Sequence, residues 1–265
     1  MKNYLKKIYC IYILNYKIKS LYFKIISFFL FFKNKIHFIS VPRTGTTLLR
    51  SSIKSFNNID NLHIIHNSHF VKTNVFLKNY VISIREPVDR FISLFYHYKL
   101  NQQSGYYPKY LEQFDSVDDF IDTLEDKKTK KFLNSSHHFK ENLETFITKE
   151  SILKNPPSFI FLFDDIKNDF NKYASTLDKN INLNEIDQFF MIKYGETKTR
   201  REKREKGKGK DLRNISKLKN YLKKEYIIYN YLLSIRKKIN KQFLRLNKKK
   251  SNGMTKSKYL INKIL

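Results

Sequence analysis

The chain has 265 residues, enough for one large domain or one domain with appendages, and its 41 % hydrophobic, 15 % aromatic and 29 % charged residues describe a globular rather than a disordered protein. Its only cysteine, Cys10, excludes an intrachain disulfide and any cysteine cluster for a metal, and fits a reducing compartment. The formal net charge of +28 has two readings: coding bias in a Lys-, Asn- and Ile-rich chain, spread over solvated faces, or an anionic partner such as a nucleotide, an acidic glycan, nucleic acid or a membrane surface.

In chain order, residues 4–32 are apolar but interrupted by lysines and read as an amphipathic helix, docked on the domain or lying on a membrane surface. Its longest clean apolar run, IISFFLFF, is eight residues long, too short for a bilayer that needs about 20. Phe31, Phe32 and Lys33 offer no small-residue cleavage site for a signal peptide. A strand is expected at 36–41 and a helix at 46–56, where Leu48, Leu49, Ile53 and Phe56 have helical spacing. A second strand fits 80–84, followed by a helix at 88–100, a polar surface loop at 101–116, and short helices at 117–125 and 139–150. A third, buried strand at 158–163 precedes a helix at 166–179. The charge run at 196–210 reads as a loop, 212–247 as helical, and the last 18 residues as frayed.

Recurring strand–turn–helix units predict an α/β fold with a central, mainly parallel sheet flanked by helices. The division is an N-terminal segment 1–33, a domain 34–247 and a basic tail 248–265. In such sheets ligands bind beyond the carboxyl ends of the strands. The first of these ends lies in FISVPRTGTTLLR at 38–50. A glycine- and hydroxyl-rich turn between strand and helix suits an anion: successive N–H groups line a concavity and the helix adds about half a positive charge. Gly45 permits close approach, Thr46 and Thr47 supply hydroxyls and cap the helix, and Arg43 adds a forked cation. The ATP/GTP pattern G-x-x-x-x-G-K-[ST] is absent, which disfavours a Mg-nucleotide kinase.

VPRTGTTLL resembles the 5′-phosphosulfate loop of sulfotransferases that use 3′-phosphoadenosine 5′-phosphosulfate (PAPS). Forty residues after Gly45, VISIREPVDRFISLFYH resembles the same family's 3′-phosphate motif, with Arg85 at a strand end and Ser93 eight residues on. The two could clamp a phosphate by charge-assisted hydrogen bonds. Taken singly, Arg85 could instead pair with Glu86 or Asp89, and Ser93 be an ordinary helix-surface serine. The form R-E-P-V-D-R-F-I-S is most similar to carbohydrate sulfotransferases, including the uronyl 2-O type. That resemblance implies the P-loop NTPase-like sulfotransferase fold, PAPS as co-substrate without a metal, and a donor site of Arg43, Thr44, Gly45, Thr46, Thr47, Arg85 and Ser93.

Transfer also needs a base for the acceptor proton. In NLHIIHNSHFVK the resemblance points to a histidine: His69, which Phe70 follows, ahead of His66, though two residues separate them where the family has one. An imidazole titrating near 6.5 suits the task. Asp60 is a carboxylate alternative, and His63 fits a strand. Asp164 and Asp165 are read as caps of the helix at 166, with orientation of an arginine or of substrate as the other role. REKGKGKDL is similar to a family loop over the adenosine 3′-phosphate, which makes Lys206, Gly207 and Lys208 candidates beside the plainer reading of a solvated loop. Arg200 and Arg201 could meet an acidic glycan.

Three functions stand. The first is sulfation of a carbohydrate hydroxyl, neutral or acidic. The second keeps the chemistry with a peptide tyrosine or lipid as acceptor. The third is a non-catalytic basic protein on the same fold, bound to nucleic acid or membrane. The paired phosphate motifs disfavour nucleic acid as the main partner. Lacking a convincing span, the chain reads as cytoplasmic, with peripheral membrane contact through 1–33, rather than as a Golgi membrane protein.

Overall fold

The structure is a computed structural model and describes residues 36–55, 62–65, 80–100, 109–176 and 213–251. The N-terminal segment 1–33, the charge run 196–210 and residues 252–265 of the tail lie outside the described residues.

Among the described residues, four short strands form one parallel sheet: β1 (Ile36–Ile39), β2 (Leu62–Ile65), β3 (Tyr80–Ile84) and β4 (Phe159–Leu162), in the order β2-β1-β3-β4. Three were expected with bounds, each within two residues of its observed end; β2 contains His63, which the sequence also placed in a strand, and sets it opposite His37 of β1. The inner strands are apolar on both faces, as burial on both sides requires. Tyr80, Ile82, Ile84 and Ile160 point into one core, and Phe38, Val81, Phe159 and Phe161 into the other.

Helices cover the two faces. On the second face lie α1 (Thr46–Ser55), through Leu49, and α8 (Ile166–Ala174), through Ile166, Phe170 and Tyr173. On the first lie α6 (Leu143–Phe146), α7 (Lys149–Lys154) and the first half of the 29-residue α10 (Lys223–Ser251). The chain is therefore a mixed α/β protein with a parallel sheet flanked by helices.

A third core has no strand in it. Here α2 (Pro87–Leu100) packs with α3 (Val117–Asp122), α4 (Lys127–Ser135), α5 (His137–Lys140) and α9 (Ile215–Tyr221) around Phe91, Phe95, Phe120 and Phe132. No α2 residue belongs to the two sheet cores, so α2 leads from the end of β3 into a helical layer instead of lying back along the sheet. The layer corrects the reading of 101–116 as a plain surface loop: Lys109–Gln113 is a 3₁₀ turn whose Leu111 is fully buried, and Phe114 is buried after it. It also resolves the helix expected at 139–150 into α5, α6 and the start of α7. Asn142 and Thr148 cap α6 and α7 through side-chain bonds to Thr145 N and Ser151 N, which stops one helix before the next begins.

α10 ties the layers together. Arg90 and Glu225, each 1 % exposed, form a two-pronged ion pair at 2.7 and 2.9 Å between α2 and α10. The same arginine reaches the Glu141 carbonyl at 3.3 Å. Farther along, Asn240 donates to the Ile160 carbonyl and accepts from the Ile160 amide, both at 2.9 Å, and so closes the open edge of β4 as a neighbouring strand would. The helix runs on through Ser251, past the start of the tail expected at 248.

Candidate functional site

The strand order reverses direction between β1 and β3: from β1 the chain steps to β2 on one side, then crosses to β3 on the other. At such a switch point the connections after the two central strands diverge and leave a crevice at their carboxyl ends. The turn after β1 and Arg85 after β3 both stand there.

The turn from Val41 to Gly45 is built tightly. Arg43 has φ 66° and Gly45 φ 82°. The first is unusual for a residue with a Cβ, and such conformations concentrate where surrounding contacts impose them. The Thr44 hydroxyl donates to the Val41 carbonyl at 2.9 Å, and Ser83 of β3 donates to the Thr44 carbonyl. Thr44 is fully buried, so its hydroxyl belongs to the scaffold, and any ligand contact from this residue falls to its N–H. A Cβ on Gly45 would stand 2.4 Å from Ile166 Cδ1 and 3.0 Å from Phe163 Cδ2. Glycine is required there by conformation and by the closeness of the β4–α8 junction. The Gly45 carbonyl accepts from Leu49 N at 3.0 Å and starts α1, with Thr46 nearly buried and Thr47 exposed at its first turn.

The two segments separated by forty residues meet directly. Arg43 Nε donates to Ser93 Oγ at 3.1 Å, and Arg85 Nη1 donates to the Arg43 carbonyl at 3.4 Å. The Arg85 guanidinium, 6 % exposed, lies 4.2 Å over the Phe163 ring, which fixes it in plane beside the turn. Glu86 has other work. Its carboxylate accepts from Asp89 N at 2.7 Å, at the N-terminus of α2, and also accepts from the Tyr226 hydroxyl on α10. Burial, reinforced by that carboxylate, pushes the Tyr226 phenol well above its ordinary range, so it stays a donor.

Along α2 the side chains from Pro87 to Lys99 are buried except Asp89, Ser93, His97 and Lys99. The first three recur every four residues and share one narrow face, with Ser93 against Arg43 at its middle. His97, half-buried, stands one turn beyond Ser93, its ring 6.1 Å from that of His138 on α5. The sequence held this signal in its i, i+4 spacing; it was hidden because the whole helix is apolar enough to read as core.

Asp164 and Asp165 were expected to cap α8. Asp165 occupies the N-cap position but makes no side-chain capping bond. It accepts from Arg236 of α10 at 2.8 Å, and Arg236 also donates to both oxygens of Asp169 at 2.6 Å. Asp169 in turn accepts from Leu162 N at 2.8 Å. The alternative role, orientation of an arginine, is the one observed for Asp165, while Asp164 is exposed. Burial tends to raise Asp165, but Arg236 and Asn168 outweigh it and hold the carboxyl below the ordinary aspartate value of 3.8. At the more deeply buried Asp169 the desolvation prevails over Arg236 and raises it. The same contacts hold Arg236 firmly protonated against its own burial.

Of the expected site residues, Arg43, Thr44, Gly45, Thr46, Thr47, Arg85 and Ser93 are thus gathered around the β1–β3 crevice. His66, His69, Lys206 and Gly207 lie outside the described residues, as do Asp60, Lys208, Arg200 and Arg201. No group of three or more His, Cys, Asp or Glu side chains that could hold a metal occurs among the described residues. No family model, curated protein or solved structure matches the chain.

Proposed function

We propose that this protein is a PAPS-dependent sulfotransferase of the P-loop-like fold, acting on a hydroxyl of a carbohydrate. The observation that carries the reading is the meeting of Arg43, Ser93 and Arg85 at the switch point, through the 3.1 and 3.4 Å hydrogen bonds between segments forty residues apart. One anion at the turn gains Arg43 and the amides of the helix start, and a second gains the Arg85 guanidinium and the Ser93 hydroxyl, all held before either arrives.

In this reading Arg43 and the amides of residues 44–47 hold the 5′-phosphosulfate, and Arg85 and Ser93 the 3′-phosphate. The acceptor oxygen attacks sulfur opposite the bridging oxygen and forms the new O–S bond. The S–O bond to the 5′-phosphate breaks, and its electron pair stays on that phosphate, where Arg43 offsets the growing charge. The acceptor proton passes to an imidazole. His69 and His66 remain the candidates by resemblance, and His97, on the face of α2 that carries Ser93, joins them from geometry. Glu86 and Arg90 act behind the site: both anchor the start of α2 to α10, through Tyr226 and Glu225.

The test is release of adenosine 3′,5′-bisphosphate from PAPS over a panel of neutral and uronic-acid oligosaccharides, a tyrosine peptide and a hydroxylated lipid. Turnover with an oligosaccharide, abolished by Arg43→Ala in a folded protein, supports the reading. Turnover only with the peptide or lipid would move the acceptor class. Full-rate turnover in an Arg43→Ala/Arg85→Ala double variant would sink the site.

A further inference from the structure

α10 has a second, outward face that none of the above uses. Its inward side holds Glu225, Ile228, Leu232, Arg236, Asn240 and Phe243 against the rest of the protein. At about 100° per residue, Lys223, Ile227, Lys238, Lys241 and Arg245 fall within an arc of about 60° on the opposite side. All five are exposed, and Lys224, Leu233 and Lys237 flank them, exposed as well. The one acidic residue of the helix, Glu225, is buried in its pair with Arg90; from residue 226 to 251 there is no Asp or Glu. The helix itself thus supplies no carboxylate to these cations beyond residue 225, and Lys224 meets Glu144 of α6 at 3.9 Å.

The face also carries apolar groups. Ile227 is 54 % exposed, and Leu233, at the flank, 39 %. Lys223 at one end and Lys238, Lys241 and Arg245 at the other, with the exposed Ile227 on the same arc, match a flat anionic surface with an apolar layer beneath. Single-stranded nucleic acid favours stacking aromatics in a groove, and phosphate forks favour arginine. The face, with one arginine among six cations, has neither preference.

We propose that the outward face of α10 docks the protein on an anionic lipid surface. The contact is peripheral: among the described residues no helix is long and apolar enough to cross a membrane. The proposal does not rest on the sulfotransferase reading.

The experiment is cosedimentation of the full chain with phosphatidylserine-containing vesicles and with phosphatidylcholine vesicles. Binding to the first only is expected. Lys237→Gln/Lys238→Gln/Lys241→Gln should weaken it roughly a hundredfold, at about fivefold per lysine near an anionic surface. The control Lys127→Gln/Lys128→Gln/Lys131→Gln removes the same charge from exposed lysines of α4 and should leave binding nearly intact. Ile227→Ser/Leu233→Ser should weaken binding and make the remainder more salt-sensitive. Equal losses from the α4 and α10 sets would overturn the proposal in favour of diffuse charge. So would absence of vesicle binding, vesicle binding indifferent to the α10 variants, or retention on DNA or heparin that ignores the Ile227→Ser/Leu233→Ser change.

Discussion

Arg43 and Gly45 share a left-handed turn for different reasons. Gly45 has φ 82° and a buried neighbour 2.4 Å from where a Cβ would stand. Gly45→Ala is expected to cost about 2–4 kcal/mol, from backbone strain and overpacking together. Denaturant unfolding of Gly45→Ala/Ile166→Val should recover the packing part and leave the strain. Arg43 holds φ 66° while carrying a side chain that the proposed reaction uses. Arg43→Gly should therefore unfold at a higher denaturant midpoint than Arg43→Ala, by about 1 kcal/mol, with both inactive. An Arg43→Gly variant less stable than Arg43→Ala would mean the turn is not strained. These residues were legible in the sequence because turn chemistry is local: PRTGTT between an apolar run and a helical pattern names its own geometry. The burial of Thr44 was not legible, since the Ser83 hydroxyl that donates to its carbonyl comes from β3, brought beside the turn by the pairing of β1 with β3.

Elements are held by long-range polar contacts that no local pattern announces. Arg90 belongs to the motif that brought Arg85 to notice, yet its partner Glu225 lies 135 residues away. Glu225→Ala leaves a buried guanidinium unpaired and should destabilise by about 3–5 kcal/mol, read by chemical denaturation. Asn240→Leu strips the β4 edge of a donor and an acceptor at Ile160 and should cost about 2–4 kcal/mol for the two buried groups left bare. The Arg236 cluster gives a pH signature with two opposing parts. Asp169, raised by burial, binds its proton more tightly when folded, so stability rises as pH falls through the window just above 3.8. Asp165, held low, contributes fully above 3.8 and loses that contribution as pH falls below it. Asp165→Asn should remove the loss and Asp169→Asn the gain, in unfolding measured across pH 2 to 6. The sequence placed Asp165 at the start of a helix correctly, but capping and pairing are indistinguishable until α10 is seen crossing the β4 edge. In the same way α2 was recognised as a helix, while its departure from the sheet depends on Phe120 and Phe139 meeting Phe91, with Phe132 against both, in a core assembled from separate segments.

At the scale of the molecule, a parallel sheet in the order β2-β1-β3-β4 has its switch point between β1 and β3, and the Arg43 turn and Arg85 stand at the carboxyl ends of those two strands. The α/β class and the ends of three strands followed from alternation and punctuation; the order, and hence the juxtaposition of Arg43 with Ser93, followed only from the fold. α10 then divides its labour, with an inward side that supports α2 and the β4 edge and an outward side of lysines. On the proposed reading, the turn after β1 and the end of β3 recognise a nucleotide with a 3′-phosphate. The decisive measurement is calorimetric titration of adenosine 3′,5′-bisphosphate, against AMP and ATP–Mg. Binding should require the 3′-phosphate and weaken about 10- to 100-fold in Arg85→Ala, the worth of a charge-assisted hydrogen bond. Equal affinity for AMP, or an Arg85→Ala variant that binds like the parent, would contradict that reading.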